Sequence, residues 1–342
     1  MDRSSKKLRV AVIGCGRISV MHFFAISQLS EMAELVCVCD NKKERADESA
    51  KKYGVKAYYD YEEMMDNEKL DVVHIALPHY LHIPASEYAI NKGIKVLCEK
   101  PMSVDYESAE RATLLAKEKG VLYGIISQCR YNNSSILVKD VISKGLLGKI
   151  KSVVSTLTWS RDDEYYMGSD WKGTWDKEGG GVVIDQAIHS IDLVNWIVDS
   201  EVVKISCSFA NRGHNYICVE DTAEGLISFK NGVRYAFYCM NNYGYDEPIE
   251  IKMYCENGKV VFGYDDAYVY FNDGKTMEAH QSLENADAGG KDYWGFKHEA
   301  QVRQFYNACL GKEELDISAE EALKTHKLVC DIYKIGKENF SK

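Results

Sequence analysis

Two textures of hydrophobic and polar positions divide this chain. In the first, the short apolar runs LRVAVIG (8–14), ELVCVCD (34–40), DVVHIAL (71–77), IKVLCE (94–99) and VLYGII (121–126) alternate with amphipathic stretches. Helical spacing marks those stretches at about 20–31, 42–53, 81–92 and 105–119. Strands fed by helices in this rhythm predict a doubly wound parallel sheet over residues 1–126.

From about residue 149 the period falls to two. KIKSVVSTLTWS, DTAEGLISFKNGVRYAFYCM, IEIKMYCENGKVVFG and AYVYFNDGK alternate apolar and polar positions. They are punctuated by Asn231-Gly232, Asn257-Gly258 and Asp273-Gly274, dipeptides that suit tight hairpins. A largely antiparallel, open sheet is expected over 127–342, with helices at about 182–198, 293–310 and 318–338. One-faced sheets of this kind often pair between subunits, so a homodimer or homotetramer is expected.

Composition adds limits. At 342 residues, 46% apolar and 27% charged, the chain reads as an ordinary globular protein with room for two domains. A net charge of −10 argues against a protein that coats nucleic acid or anionic membrane. No apolar run has transmembrane length, and the amino end runs straight into a glycine motif, as a first strand and not a signal peptide. Eleven cysteines without a C-x-x-C pair read as free thiols of a cytoplasmic protein.

Chemistry enters at GCGRIS, which follows the first strand and opens the first helix. Gly14 permits the tight turn, Gly16 lets backbone approach a pyrophosphate, and Ser19 takes the third small position. Arg17 and Ile18 complete the turn, and the helix amino end faces the phosphates. Asp40 closes the second strand, where a carboxylate accepts ribose hydroxyls and repels a 2′-phosphate. NAD is therefore preferred to NADP, although Lys42 and Lys43 follow directly. PHYLH (78–82) places Pro78, His79 and His82 after a strand, in line with the cofactor, although His82 also fits a simple helix start.

GGGVVIDQAIHSID (179–192) sets three glycines ahead of a helix. At 100° per residue, Asp185, His189, Asp192 and Trp196 fall within about 40° of one another. The glycines would let backbone pass close to something flat or bulky, such as a nicotinamide ring. Asp185 and His189 read as a satisfied structural pair, as two metal ligands, or as an acid–base pair. In TWSRDDEYYMGSDWKGTW (158–175), Arg161, Tyr165, Tyr166 and Trp171 suit a sugar ring, while Trp171 and Trp175 equally suit pinning the loop.

GCGRIS with Asp40, ALPHYLHIPAS (76–86), CEKPMS (98–103), SQCRYN (127–132) and WKGTWDKEGGGVVIDQAIHSIDL (171–193) together resemble the Gfo/Idh/MocA oxidoreductases over essentially the whole chain. The resemblance implies a Rossmann domain followed by a substrate-binding and oligomerisation domain. It implies Lys100, Asp185 and His189 as catalytic residues, Glu99 and Lys100 near the cofactor, and His298 near the pocket. The implied reaction is hydride transfer between NAD(P) and a secondary hydroxyl of a sugar, cyclitol or related polyol, with no metal. His189 would act as base, Lys100 would stabilise the developing alkoxide, and Asp185 would orient His189 or hold an adjacent hydroxyl. NAD-assisted glycoside hydrolysis and a non-catalytic nucleotide sensor are the competing functions.

Overall fold

The computed structural model describes residues 7–280 and 297–341. They fall into two units, Met1–Gln128 with Asn285–Leu323 and Cys129–Glu284 with Lys324–Lys342. In the first, β1 (Leu8–Ile13), β2 (Ala33–Cys39), β3 (Lys56–Tyr58), β4 (Val72–Ile75), β5 (Lys95–Cys98) and β6 (Tyr123–Ile125) form a parallel sheet ordered β3-β2-β1-β4-β5-β6. The crossovers are α1 (Ser19–Gln28), α2 (Lys43–Tyr53), α3 (Tyr61–Asn67), α4 (His82–Asn91) and α5 (Tyr106–Lys119). Strand order reverses about β1, between β2 and β4, the switch point where open α/β sheets bind ligands. The apolar pattern located α1, α2, α4 and α5 but missed β3 and α3. KAY is too short to show a period, and α3 is started by Asp60, whose side chain accepts from the Glu62 and Glu63 N–H groups.

The expected contiguous boundary at 126/127 is corrected in two ways. The first unit runs to Gln128, and the chain returns to it through α9 (His298–Cys309). Val302, Phe305 and Tyr306 of α9 are buried with Phe23, Ile26 and Leu29 in one core, so apolar burial and not sequence proximity assigns this helix. Positions 293–296 of the helix expected at 293–310 lie outside the described residues.

In the second unit, nine strands are ordered β14-β13-β12-β11-β7-β10-β9-β8-β15. They are β7 (Ile150–Thr158), β8 (Val202–Ala210), β9 (Thr222–Phe229), β10 (Arg234–Met240), β11 (Glu250–Cys255), β12 (Gly258–Phe262), β13 (Asp266–Phe271), β14 (Thr276–His280) and β15 (Phe340–Ser341). All pairs are antiparallel except β7 with β10 and β8 with β15. Each predicted dipeptide lies at the connection between two adjacent antiparallel strands, β9–β10, β11–β12 and β13–β14. The unit's helices are α6 (Asn133–Ser143), α7 (Asp163–Met167) and α8 (Ile188–Val198), and α10 (Ala319–Glu338) carries the chain into it from the first unit. On β7, Val153, Ser155 and Leu157 are buried while Val154 and Thr156 are exposed, so the sheet is one-faced. Among the described residues, no helix is long and apolar enough to cross a membrane.

Candidate active site

In the first unit the glycine motif is held at the switch point by contacts that explain its residue types. Gly14 has φ +94°, and a Cβ there would strike the Ala76 carbonyl, so the turn after β1 admits only glycine. Gly16 is the opposite case: a Cβ would meet only the far end of Arg45, 3.9 Å away, which leaves open space where a phosphate would approach. Ser19 is buried and its hydroxyl donates to the Gly16 carbonyl at 2.6 Å, closing the first turn of α1. Arg17 is exposed and Ile18, the residue that precedes α1, is half-buried. Asp40 accepts from the N–H groups of Cys15 and Lys42, each at 2.8 Å, and so ties the glycine loop to the end of β2. A carboxylate has roughly four acceptor positions, so the two bonds leave Asp40 able to accept from a ribose as well. Gly16 and Asp40 thus fit a dinucleotide.

Beside this, Glu99 and Lys100 directly follow β5. Oε1 of the buried Glu99 accepts from Nε2 of His22 and Nε2 of His298, both at 3.1 Å. Burial opposes the charge of Glu99, but these two hydrogen bonds outweigh it and hold the carboxyl well below the usual range. The chain of contacts continues from His22 Nδ1 to His74 Nδ1 at 2.9 Å and from His74 Nε2 to the Tyr306 hydroxyl at 3.0 Å. Neutral imidazoles satisfy every link: Tyr306 donates to His74, His74 to His22, and His22 to Glu99. The Lys100 N–H donates to Glu99 Oε2 at 3.2 Å, so the loop bearing Lys100 is tethered to this network.

In the second unit, the start of the 182–198 helix is a π-helical turn, Val183–Ala187, that continues into α8. Asp185 lies in that turn. Its Oδ2 accepts from the Tyr165 hydroxyl (2.7 Å), Lys172 Nζ (3.1 Å) and Gln186 Nε2 (2.6 Å). Lys172 Nζ is also 2.5 Å from the Tyr165 oxygen and 3.6 Å from Glu178 Oε1. His189 is half-buried, with its ring edge-on to Tyr264 at 6.2 Å. Of the three glycines before it, Gly179 has φ +92°, and the other two serve packing. A Cβ on Gly180 would overlap the Tyr333 ring and hydroxyl, and one on Gly181 would overlap the Glu220 carbonyl. Buried Glu220 in turn accepts from the N–H groups of Gly181 and Val183 and from the Tyr333 hydroxyl. Burial pushes Glu220 up to about 7, against the pull of these donors.

Several expectations are corrected by these placements. Gly180 and Gly181 make room for Tyr333 and Glu220, protein groups of their own unit, where a nicotinamide ring was expected. Asp192 does not share the partners of Asp185, and the π turn between them advances fewer degrees per residue than the α spacing assumed. Asp192 is instead a structural ion: Arg130 grips it through Nε at 2.8 Å and Nη2 at 2.6 Å, and Thr325 donates at 2.8 Å, all buried. Tyr166 is 5% exposed in a small core with Ile217 and Val219, and its hydroxyl accepts from Asn241, so its ring is not offered to a sugar. Arg161 pairs with Asp246 at 3.0 Å and its side chain is almost fully buried. His82 has no exposed surface; Nδ1 meets the Pro101 carbonyl at 2.7 Å and Nε2 the Leu77 carbonyl at 2.8 Å, so it braces loop backbone where cofactor contact was expected. Pro78, half-buried, precedes it in the same turn. Trp175 packs edge-on against Tyr333 and Phe340 and pins its loop, while Trp171 and Tyr165 stay half-buried. Lys172, Glu178 and His22 escaped sequence reasoning. Lys172 and Glu178 stand inside the quoted WKGTWDKEGGG, and only their burial distinguishes them from surface charge.

Two family models match this chain. "Oxidoreductase family, NAD-binding Rossmann fold" covers residues 8–127, and "GFO/IDH/MocA C-terminal domain" covers residues 136–261. The chain belongs to the Gfo/Idh/MocA oxidoreductases. Its relatives in this family include D-glucoside 3-dehydrogenase of Escherichia coli K12, 26% identical across 97% of this chain and 96% of the relative. Glucose-6-phosphate 3-dehydrogenase of Bacillus subtilis is 27% identical across 66% of this chain and 65% of that protein. The WlbA dehydrogenase of Bordetella pertussis, solved with NADH and UDP-GlcNAcA, is 26% identical with a TM-score of 0.85, over 97% of both chains. As a Gfo/Idh/MocA protein the chain is an oxidoreductase with an NAD-binding Rossmann domain, and its glycine motif and Asp40 sit in that domain.

Proposed function

We propose that the protein moves a hydride between a secondary hydroxyl of a sugar, cyclitol or related polyol and NAD, with NADP the poorer cofactor. The observation that carries this reading is Asp185, hydrogen-bonded on three sides and four residues before His189, in a chain whose other unit presents the Gly16 opening and Asp40. Bound NAD supplies the hydride acceptor. The α1 amino end with Gly14, Gly16, Arg17 and Ile18 holds the pyrophosphate, and Asp40 accepts from ribose hydroxyls and repels a 2′-phosphate. Lys100 donates to the reacting oxygen and stabilises alkoxide charge as it develops. His189 takes the hydroxyl proton during oxidation and returns it during reduction. Asp185 orients His189 or a neighbouring hydroxyl, and Tyr165 and Trp171 offer ring faces to the sugar.

The same reading places the enzyme in the cytoplasm, in keeping with its free cysteines, and makes it a homodimer or homotetramer. Strand register puts Leu226, Val154, Tyr254 and Tyr270 on one sheet face, each more than a third exposed, which supports pairing through that face. The test is NADH absorbance with purified protein across inositols, free sugars, glycosides, sugar acids and nucleotide sugars, with NADP in parallel. Turnover of one class, lost in both Lys100→Ala and His189→Ala, is expected. Normal turnover in either variant would overturn the assigned roles.

A further inference from the structure

Lys172 is a buried cation beside the residue that the proposed reaction leans on. Its Nζ lies 3.1 Å from Asp185, 2.5 Å from the Tyr165 oxygen and 3.6 Å from Glu178. It also stands 4.2 Å from the Tyr165 ring centre and 4.9 Å from that of Trp171. Burial alone would push the ammonium down; Asp185, Tyr165 and Glu178 outweigh it and hold Lys172 well above the ordinary lysine range. Two acids share this cation, and they are not equivalent. Glu178 is 1% exposed, and burial raises it to about 8 in spite of Lys172, with the charges of Asp185 and Glu220 adding to the rise. Burial therefore favours the protonated form of Glu178. The oxygen of Asp185 that faces the cation accepts three hydrogen bonds, the pattern of an ionised carboxylate. Tyr166 adds only a neutral phenol, which burial and Glu178 push higher still.

We propose that Lys172 is a positioning residue of this enzyme: it pairs with Asp185, keeps that carboxylate an ionised acceptor turned towards Tyr165, and leaves proton transfer to His189. The inference rests on the reading above that Asp185 and His189 serve the reaction. It assigns the work of the pair unequally. A carboxylate already bonded to a lysine, a tyrosine and a glutamine is a poor proton acceptor, while imidazole titrates near neutrality.

The test compares Lys172→Met, Lys172→Arg, Tyr165→Phe and Glu178→Gln with the wild type. On a sugar that the wild type oxidises, Lys172→Met is expected to lower kcat by on the order of 10- to 100-fold, the size of losing a charge-assisted hydrogen bond. The acid limb of its kcat/KM profile should move up by about a pH unit or more, and Lys172→Arg should bring both back most of the way. Glu178→Gln should leave the acid limb in place. An unmoved acid limb in Lys172→Met, whether kcat falls or not, would overturn the proposal. Should Lys172→Met not fold, Tyr165→Phe carries the same test, with a smaller upward move expected and no move overturning it. If no sugar is oxidised despite NAD binding, the functional reading fails. The Lys172–Asp185 pairing is then decided by melting temperature, with Asp185→Asn in the Lys172→Met background expected to recover more than half of the loss. Additive losses would overturn it.

Discussion

Gly181→Ala tests whether the glycines before Asp185 exist for packing. The added Cβ would lie 3.0 Å from Val219 Cγ2 and more than an ångström inside the closest tolerable approach to the Glu220 carbonyl oxygen. That oxygen accepts from Val182 N–H at 3.1 Å, so relief by moving residue 220 breaks a backbone hydrogen bond. Relief by moving residue 181 draws its own N–H away from the Glu220 carboxylate, 3.0 Å from both oxygens. Overpacking costs about 1–3 kcal/mol and a lost hydrogen bond about 1 kcal/mol more, so the variant should be about 2–4 kcal/mol less stable. For a folding unit of this size that is a fall in Tm on the order of 5–15 °C. Thermal unfolding followed by circular dichroism reads the loss, and calorimetric titration should find NAD affinity in the folded variant unchanged, because Gly181 belongs to the second unit. A Tm within about 2 °C of wild type would refute the packing account and return the glycines to a ligand-facing role.

Three further outcomes follow from the same contacts. Asp192→Ala strands the Arg130 guanidinium in the interior, so a loss of about 3–5 kcal/mol is expected by chemical denaturation, and an Arg130→Met, Asp192→Leu pair should recover most of it. Asp40→Ser removes the carboxylate at the ribose position, and the NADP-to-NAD ratio of kcat/KM should rise by at least 10-fold; an unchanged ratio would mean that specificity lies elsewhere. Glu178 and Glu220 have folded values of about 8 and about 7, above those of an unfolded chain. The folded state therefore binds more protons between about pH 4.5 and pH 8, and stability should fall as pH rises through that window. Glu220→Gln should flatten the part of the fall below about pH 7 in a series of denaturation midpoints, and an identical slope would show that Glu220 does not titrate there.

Much of this molecule was legible before folding. Burial from both sides forces continuous apolar runs, and one-sided burial forces alternation, so both sheets and most long helices left a period in the chain, while α6 was missed. The glycine motif was equally readable, because Gly14 at φ +94° admits one residue type. Asp185 and Tyr165, named for different reasons, do meet. Tertiary structure alone decided the rest. Whether a charge is solvated or buried is set by neighbours distant in sequence, as Arg130 with Asp192, Arg161 with Asp246 and Lys172 with Asp185 show. Nothing local separates Asp192, a structural ion, from Asp185, because a π turn changes the angle between them without changing their spacing. Nor does spacing reveal that α9, some 170 residues after the first sheet ends, belongs to that sheet's core. Local conformation follows from periodicity and backbone sterics, which the chain carries within a few residues. The protonation, pairing and burial that make a side chain functional depend on contacts that form only when distant segments pack.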